Sequence, residues 1–238
     1  MFTALFYNPL YNAVVAITNI VPAHNLALAI VIFTIIIKFI LFPLSKRAVV
    51  TQMKMKLVEP ELAAIKAKYK GDRKIEAEKT LELYRNNKLN PFSTIFLAIL
   101  QIPIFIALAL MFSKNAFSSI NPDLLYSFVQ FPPYVDQSLF SMNISERSIF
   151  LGALAGILQF VQIQYSLPAY KKPEKGTAPS FKDDLAKSMN VQMRYVLPVI
   201  VFVTSLGFTA SLSLYWIVST LFTICQELYF RRTVKKGS

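Results

Sequence analysis

The chain has 238 residues, 55% of them hydrophobic and 16% charged, with a formal net charge of +12. This balance excludes a soluble globular domain and points to an all-α polytopic membrane protein built as one small bundle. The lone Cys225 excludes an internal disulfide or a cysteine-based metal cluster. With His24 as the only histidine and no GxSxG or HExxH pattern, no catalytic, metal or cofactor-binding set is expected.

Residues 1–24 carry no Asp, Glu, Lys or Arg, and Asn8, Pro9, Asn12, Asn19 and Pro22 interrupt them. Phe2, Leu5, Phe6, Leu10, Val14 and Ile17 recur at helical spacing, which predicts an interfacial helix on the outer side; an additional spanning helix is the alternative. No basic n-region and no Arg-rich presequence is evident. A bacterial cytoplasmic membrane is therefore the simplest location.

Residues 25–44 (NLALAIVIFTIIIKFILFPL) form the first expected span. Twenty residues at 1.5 Å each reach about 30 Å, the thickness of a bilayer's hydrocarbon core. Pro43, then Ser45, Lys46 and Arg47, mark the exit on the basic, cytoplasmic side. One lysine, Lys38, stands inside this span, about 9 Å from its end at the helical rise. Two readings are open for it. Its long stem reaches back to the headgroups and fixes orientation, or its charge faces a hydrated cavity within the bundle. Thr34, one turn earlier on the same face, favours the cavity.

Residues 45–90 hold twelve Lys or Arg against six Asp or Glu, the signature of the cytoplasmic side. Leu62, Ile65 and Tyr69 make one helical stripe and Ala77, Leu81 and Tyr84 a second, with Gly71-Asp72 between them. The expectation is a helical hairpin, with Pro60, Glu61, Leu62 and Tyr69 as its characteristic residues. Its length exceeds what joining two spans requires, so a docking or gating element is favoured over a plain connector.

Asn90-Pro91 opens a second span over 91–113, with Gln101 and Pro103 near its middle. Gln101 reads either as interhelical glue or as part of a wet cavity shared with Lys38. Residues 114–147 carry mostly acidic charge and several prolines and are expected outside. A third span covers 148–168 and carries Gln159, Gln162 and Gln164, and a lysine-rich loop covers 169–190 inside. From Tyr195 to Gln226 there is no charge. As one helix this run would exceed the bilayer, so it folds back near Gly207 to Ser211 into two spans, 191–208 and 209–230. The basic tail 231–238 returns inside, giving five spans with the N-terminus out and the C-terminus in.

Four stretches in this order carry a resemblance. They are IIIKFILFPLSKR around Lys38, EPELAAIKAKYK in the hairpin, NPF followed by LQIPIFIAL in the second span, and LYWIVSTLF in the fifth. Together they resemble the YidC/Oxa/Alb family of membrane protein insertases over nearly the whole length. The resemblance implies a polar groove between helices, open to cytoplasm and lipid, through which nascent membrane proteins are inserted without ATP and helped to fold. It places Lys38 where the family's basic groove residue stands, usually an arginine. Thr34, Gln101, Tyr215, Trp216 and Ser219 are candidates for lining the groove, and Tyr215 and Trp216 read equally as an interfacial aromatic belt.

The partners implied are nascent membrane protein substrates and membrane lipids, with a ribosome and a Sec translocon as further candidates and no direct nucleic-acid role. Phe208-Thr209-Ala210-Ser211 departs from the Pro and Gly common before LYW. The tail is also shorter than the basic tails by which some members hold ribosomes, and no large outer domain is evident. A small anion channel or transporter is the rival reading, because a lysine in a wet cavity also suits anion passage.

Overall fold

The computed structural model describes residues 1–69, 71–90, 92–113, 117, 119–166, 188 and 191–236. The expected loop at 169–190 lies outside the described residues, apart from residue 188. In chain order the helices are α1 (Asn8–Ile20), α2 (Leu26–Ile40), α3 (Phe42–Leu57), α4 (Glu59–Lys68), α5 (Arg73–Asn86), α6 (Phe92–Ser113), α7 (Ile149–Ser166), α8 (Leu197–Gly207) and α9 (Ala210–Lys236). Short strands β1 (Ser138–Leu139) and β2 (Met142–Asn143) pair antiparallel, Ser138 opposite Asn143 and Leu139 opposite Met142. The chain divides into two compact units, Met1–Lys38 with Pro103–Cys225, and Phe39–Ile102 with Gln226–Ser238.

In the first unit, a π-helical turn, Thr3–Tyr7, runs without a break into α1; the Asn8 N–H donates to the Thr3 carbonyl, and Pro9 follows with no N–H to donate. The face of α1 that is buried consists of Tyr11, Asn12, Val14, Val15 and Thr18, which shares only Val14 with the apolar stripe predicted from the sequence. The reason is what covers it. Asn12 Oδ1 accepts from the Tyr126 N–H at 2.7 Å, and Asn12 Nδ2 donates to the Leu124 and Asn8 carbonyls, each at 2.8 Å. The Asn121 N–H donates to the Tyr11 hydroxyl at 3.1 Å, and Asn19 Nδ2 to the Gln130 carbonyl at 2.6 Å. A loop brings unpaired backbone groups, and a buried amide is the side chain that satisfies both kinds.

Asp136 fixes the same loop to the start of α2. Its carboxylate accepts from Asn25 Nδ2 at 2.8 Å and from the Ser138 N–H and hydroxyl, each at 2.9 Å. Asn25 in turn accepts from the Leu28 N–H at 2.9 Å, capping the helix. These bonds hold the Asp136 carboxyl below its ordinary pKa, the Asn25 bond contributing most.

Helices α7 and α8 pack backbone to backbone. A Cβ on Gly156 would lie 3.0 Å from Phe202 Cβ and 3.3 Å from the Pro198 carbonyl, and one on Gly152 would lie 3.2 Å from Ser205 Cβ. Glycine permits that approach without displacing either neighbour, the small-residue spacing by which apolar helices associate without a hydrophobic drive. Phe208 is extended after α8, and α9 begins with the Ala210 and Ser211 N–H groups donating to the Glu146 and Ile144 carbonyls at 2.7 and 2.8 Å. Those bonds occupy donors that a helix start leaves open.

In the second unit, α4 and α5 form a hairpin. Gly71 adopts φ +108°, and Asp72 caps α5 by accepting from the Lys74 and Ile75 N–H groups at 3.1 Å. Val58, Leu83 and Leu89 form a small core, with Met55, Leu62, Ile65 and Tyr84 packed against it. Ser45 Oγ donates to Gln226 Oε1 at 2.9 Å, and the Phe42 and Phe230 rings are 5.3 Å apart.

The stretch expected as one helix over 25–44 is interrupted at Leu41, with α2 ending at Ile40 and α3 starting at Phe42. Pro43 explains the break, since it has no N–H for the Phe39 carbonyl and its ring crowds that oxygen. Among the described residues α7 alone is long and apolar enough to cross a membrane as a single helix. α2 with Phe42–Met55 qualifies if taken together across the break, and Ile99–Phe112 and Gln192–Gly207 are shorter apolar segments.

Candidate functional site

The first unit assembles polar groups among its apolar helices. Lys38 lies in the last turn of α2, half-buried, and its Nζ donates to Thr223 Oγ1 of α9 at 3.1 Å. Thr223 Oγ1 donates in turn to the Ser219 carbonyl at 2.9 Å, one turn back. An ammonium has three donors, and this arrangement engages one of them. Among the described residues no carboxylate lies within ion-pair distance of Lys38. The charge is therefore available to an incoming acceptor.

Thr34, on the Lys38 face of α2, is fully buried, and its hydroxyl donates to the Ile30 carbonyl at 2.6 Å. That back-bond uses the donor within its own helix. Tyr215 is buried in α9 and Ser219 half-buried. Trp216 is half-buried; its ring meets Phe105 edge-on at 5.1 Å, and its Nε1 donates to Gln159 Oε1 of α7 at 2.9 Å.

From Trp216 the polar contacts continue along α7. Gln159 Nε2 donates to Gln162 Oε1 at 2.9 Å, and Gln162 Nε2 to Ser166 Oγ at 2.7 Å. These bonds align polar side chains at helical spacing along an otherwise apolar helix. Sequence reading noted these glutamines without assigning them to the site, and it missed Thr223, whose spacing of four from Ser219 was the available signal. Gln101 is half-buried and belongs to the second unit.

The hairpin residues also lie in the second unit. Pro60 and Glu61 are exposed in the first turn of α4, where proline and an acidic side chain both suit a helix start. Leu62 packs on the small core, and Tyr69 is half-buried at the end of α4 with Lys68 Nζ 5.5 Å from its ring centre. Among the described residues no cluster of His, Cys, Asp and Glu is arranged to hold a metal ion. What the surroundings of Lys38 offer chemically is its positive charge beside the Thr223 hydroxyl, with neutral hydrogen-bonding groups on α7 and α9.

Comparison with known proteins is consistent along the chain. The model of the family described as 60Kd inner membrane protein matches residues 16–237. A membrane protein insertase YidC from Fusobacterium nucleatum is 31% identical over 216 residues, covering 90% of this chain and 88% of the relative. Proteins of the same name from Geotalea daltonii and Neisseria meningitidis are each 28% identical, over 89% and 97% of this chain. The chain spans about a third of the length of those two relatives, 34% and 37%. Matched by the family model and by relatives along nine-tenths of its length, the chain belongs to the YidC family of 60Kd inner membrane proteins.

Proposed function

We propose that this protein is a membrane protein insertase and chaperone of the bacterial cytoplasmic membrane, acting without enzymatic chemistry. Nascent membrane proteins are its substrates. A hydrophobic segment enters beside a hydrated groove while its short hydrophilic end is held there, then passes into lipid. A wet groove lowers the barrier to moving polar groups through about 30 Å of hydrocarbon. Five spans with the N-terminus out and the C-terminus in satisfy the charge of every loop. On this topology residues 1–24 lie at the outer interface, and the α4–α5 hairpin is a cytoplasmic docking or gating element.

The observation that carries the proposal is the bond from Lys38 to Thr223. A lysine that served only to reach the headgroups would need no partner on another helix. Held toward α9 with donors to spare, it supports the groove reading, in which the charge attracts acidic substrate tails more strongly than it would in water. Tyr215, Trp216 and Ser219 line the groove on this reading, with Thr34 on the Lys38 face of α2 and Gln101 as a further candidate. The matched relatives are named insertases, which favours insertion over the channel reading.

The test is protease-protected insertion of paired single-span substrates, differing only in tail charge, into proteoliposomes. Lys38→Arg should insert both, and Lys38→Glu should lose about tenfold or more on the acidic tail. Lys38→Ala should retain some activity wherever hydration outweighs charge. Equal performance of Lys38→Leu and Lys38→Glu on both substrates would refute the groove role of this lysine. Current through the same liposomes would favour the channel.

A further inference from the structure

The second unit contains a cavity of about 870 Å³ that the insertion reading does not use, within the size range of small-ligand sites. Lys46, Arg47 and Lys88 line it, Thr51 and Asn90 add polar groups, and Pro43, Leu44, Val50 and Phe96 form apolar wall. No carboxylate is among the lining residues, and among the described residues the single ion pair is Lys79–Glu82, elsewhere on α5. Three cations around one cavity repel each other until an anion joins them.

Lys88 gives the second, independent observation. The C-terminus of α5 closes with the Leu89 N–H on the Tyr84 carbonyl at 2.8 Å and the Lys88 N–H on the Arg85 carbonyl at 3.0 Å. This pair of bonds is the Schellman motif, whose left-handed position is ordinarily glycine or asparagine. Here it is Lys88, at φ +52°. A lysine gains nothing in backbone energy from that position, and strained residues of this kind gather at functional sites. What Lys88 adds is a cation at the cavity, carried on a backbone fixed by the two bonds of the motif.

We propose that this cavity binds the headgroup of an anionic phospholipid, with the phosphate held by Lys46, Arg47 and Lys88 and the glycerol-ester region against Pro43, Val50 and Phe96. A mixed lining of cations and apolar wall matches an amphiphile better than an acidic peptide, whose carboxylates need no apolar surface. The location agrees with this, resting on the five-span reading. The cavity follows the apolar run 25–44 and borders the first turns of α6, which sets it at the cytoplasmic surface, where anionic headgroups and juxtamembrane basic residues meet.

Native mass spectrometry of the full chain, released from detergent and titrated with phosphatidylglycerol or phosphatidylcholine of matched acyl chains, tests the site. The parent should retain one phosphatidylglycerol preferentially. Lys88→Asn suits the left-handed position, so it should fold at least as stably as the parent while binding phosphatidylglycerol about fivefold more weakly, the value of one cation at an anionic surface. Combining it with Lys46→Gln and Arg47→Gln should weaken binding roughly a hundredfold on the same basis. Lys74→Gln, on an exposed part of α5, should leave it unchanged.

Equal retention of the two lipids, or unchanged binding in Lys88→Asn, would overturn the proposal. Displacement of phosphatidylglycerol by an acidic peptide, but not by phosphatidylserine, would overturn it in favour of a protein segment. The readout involves no insertion. A parent that binds phosphatidylglycerol selectively but fails to insert substrates would sustain the lipid site and refute only the insertase reading.

Discussion

Trp216 is the only tryptophan in the chain, so its fluorescence reports one place. Its indole N–H rests on Gln159, and Gln159 in turn donates to Gln162. Gln159→Leu preserves volume and apolar packing but removes both bonds, leaving the indole N–H without its acceptor. Interhelical hydrogen bonds between apolar helices average about 0.6 kcal/mol and reach about 1.7 kcal/mol. The coupling between Gln159→Leu and Trp216→Phe should therefore fall in that interval, equivalent to a factor of roughly three to twenty in an equilibrium constant.

The assay has two parts. A double-mutant cycle on reversible unfolding in mild detergent gives the coupling energy. Emission of Gln159→Leu, measured beside the parent, should shift to shorter wavelength as the excited indole loses a polar partner. If the groove reading is also right, a bound substrate segment should move the parent's emission and move that of Gln159→Leu less. A coupling indistinguishable from zero together with identical spectra would refute the bond as a feature of the protein in solution.

Other expectations follow from the same structure. Deleting 60–86 should leave the protein in the membrane but abolish or greatly reduce substrate insertion in proteoliposomes; full activity would make the hairpin a connector. Single cysteines near Asp123 and near Lys175, in a Cys225→Ala background, should label with an impermeant thiol reagent from opposite sides, and labelling from one side would break the five-span topology. Because the Asp136 carboxyl is held below its ordinary pKa by Asn25 and Ser138, its stabilisation is fully present above the unfolded value of about 3.9 and is lost as pH falls through the lower folded value. Proteolysis of the 121–147 loop should therefore increase on acidification in the parent, with less pH dependence in Asp136→Asn.

The helical character and the family were legible because both rest on local patterns, apolar runs of membrane length and four ordered motifs. The contacts of Lys38 were not. Thr223 lies 185 positions away, and no periodicity joins residues at that distance. Thr34 was placed on the Lys38 face by helical spacing alone. Spacing does not reveal that its hydroxyl is spent on the Ile30 carbonyl. Pro43 is visible in the sequence and predicts an exit from lipid; its effect on the Phe39 carbonyl, one turn earlier, is what interrupts the helix at Leu41. The buried face of α1 was hidden for a further reason. The hydrogen-bond partners of Tyr11 and Asn12 are backbone groups of a loop more than a hundred residues on, and backbone groups leave no compositional trace.

That partnership bears on what the outer loop can become. Asn12, Tyr11 and Asn19 contact the loop through main-chain atoms of Asn121, Leu124, Tyr126 and Gln130, groups that every residue type except proline possesses in full. Through these hydrogen bonds the helix reads the path of the loop; the Tyr11 ring also stacks on that of Phe117, their centres 5.5 Å apart. Substitutions at Leu124 and Gln130 should leave these bonds intact, whereas Asn121 also caps the following turn through its Oδ1 on the Asp123 N–H, and proline would remove the donor at Asn121 or Tyr126. Inserting or deleting a single residue between Leu124 and Gln130 would move every later contact out of step. For these four bonds the length of the loop is the specified quantity, more than the identity of the residues that carry them.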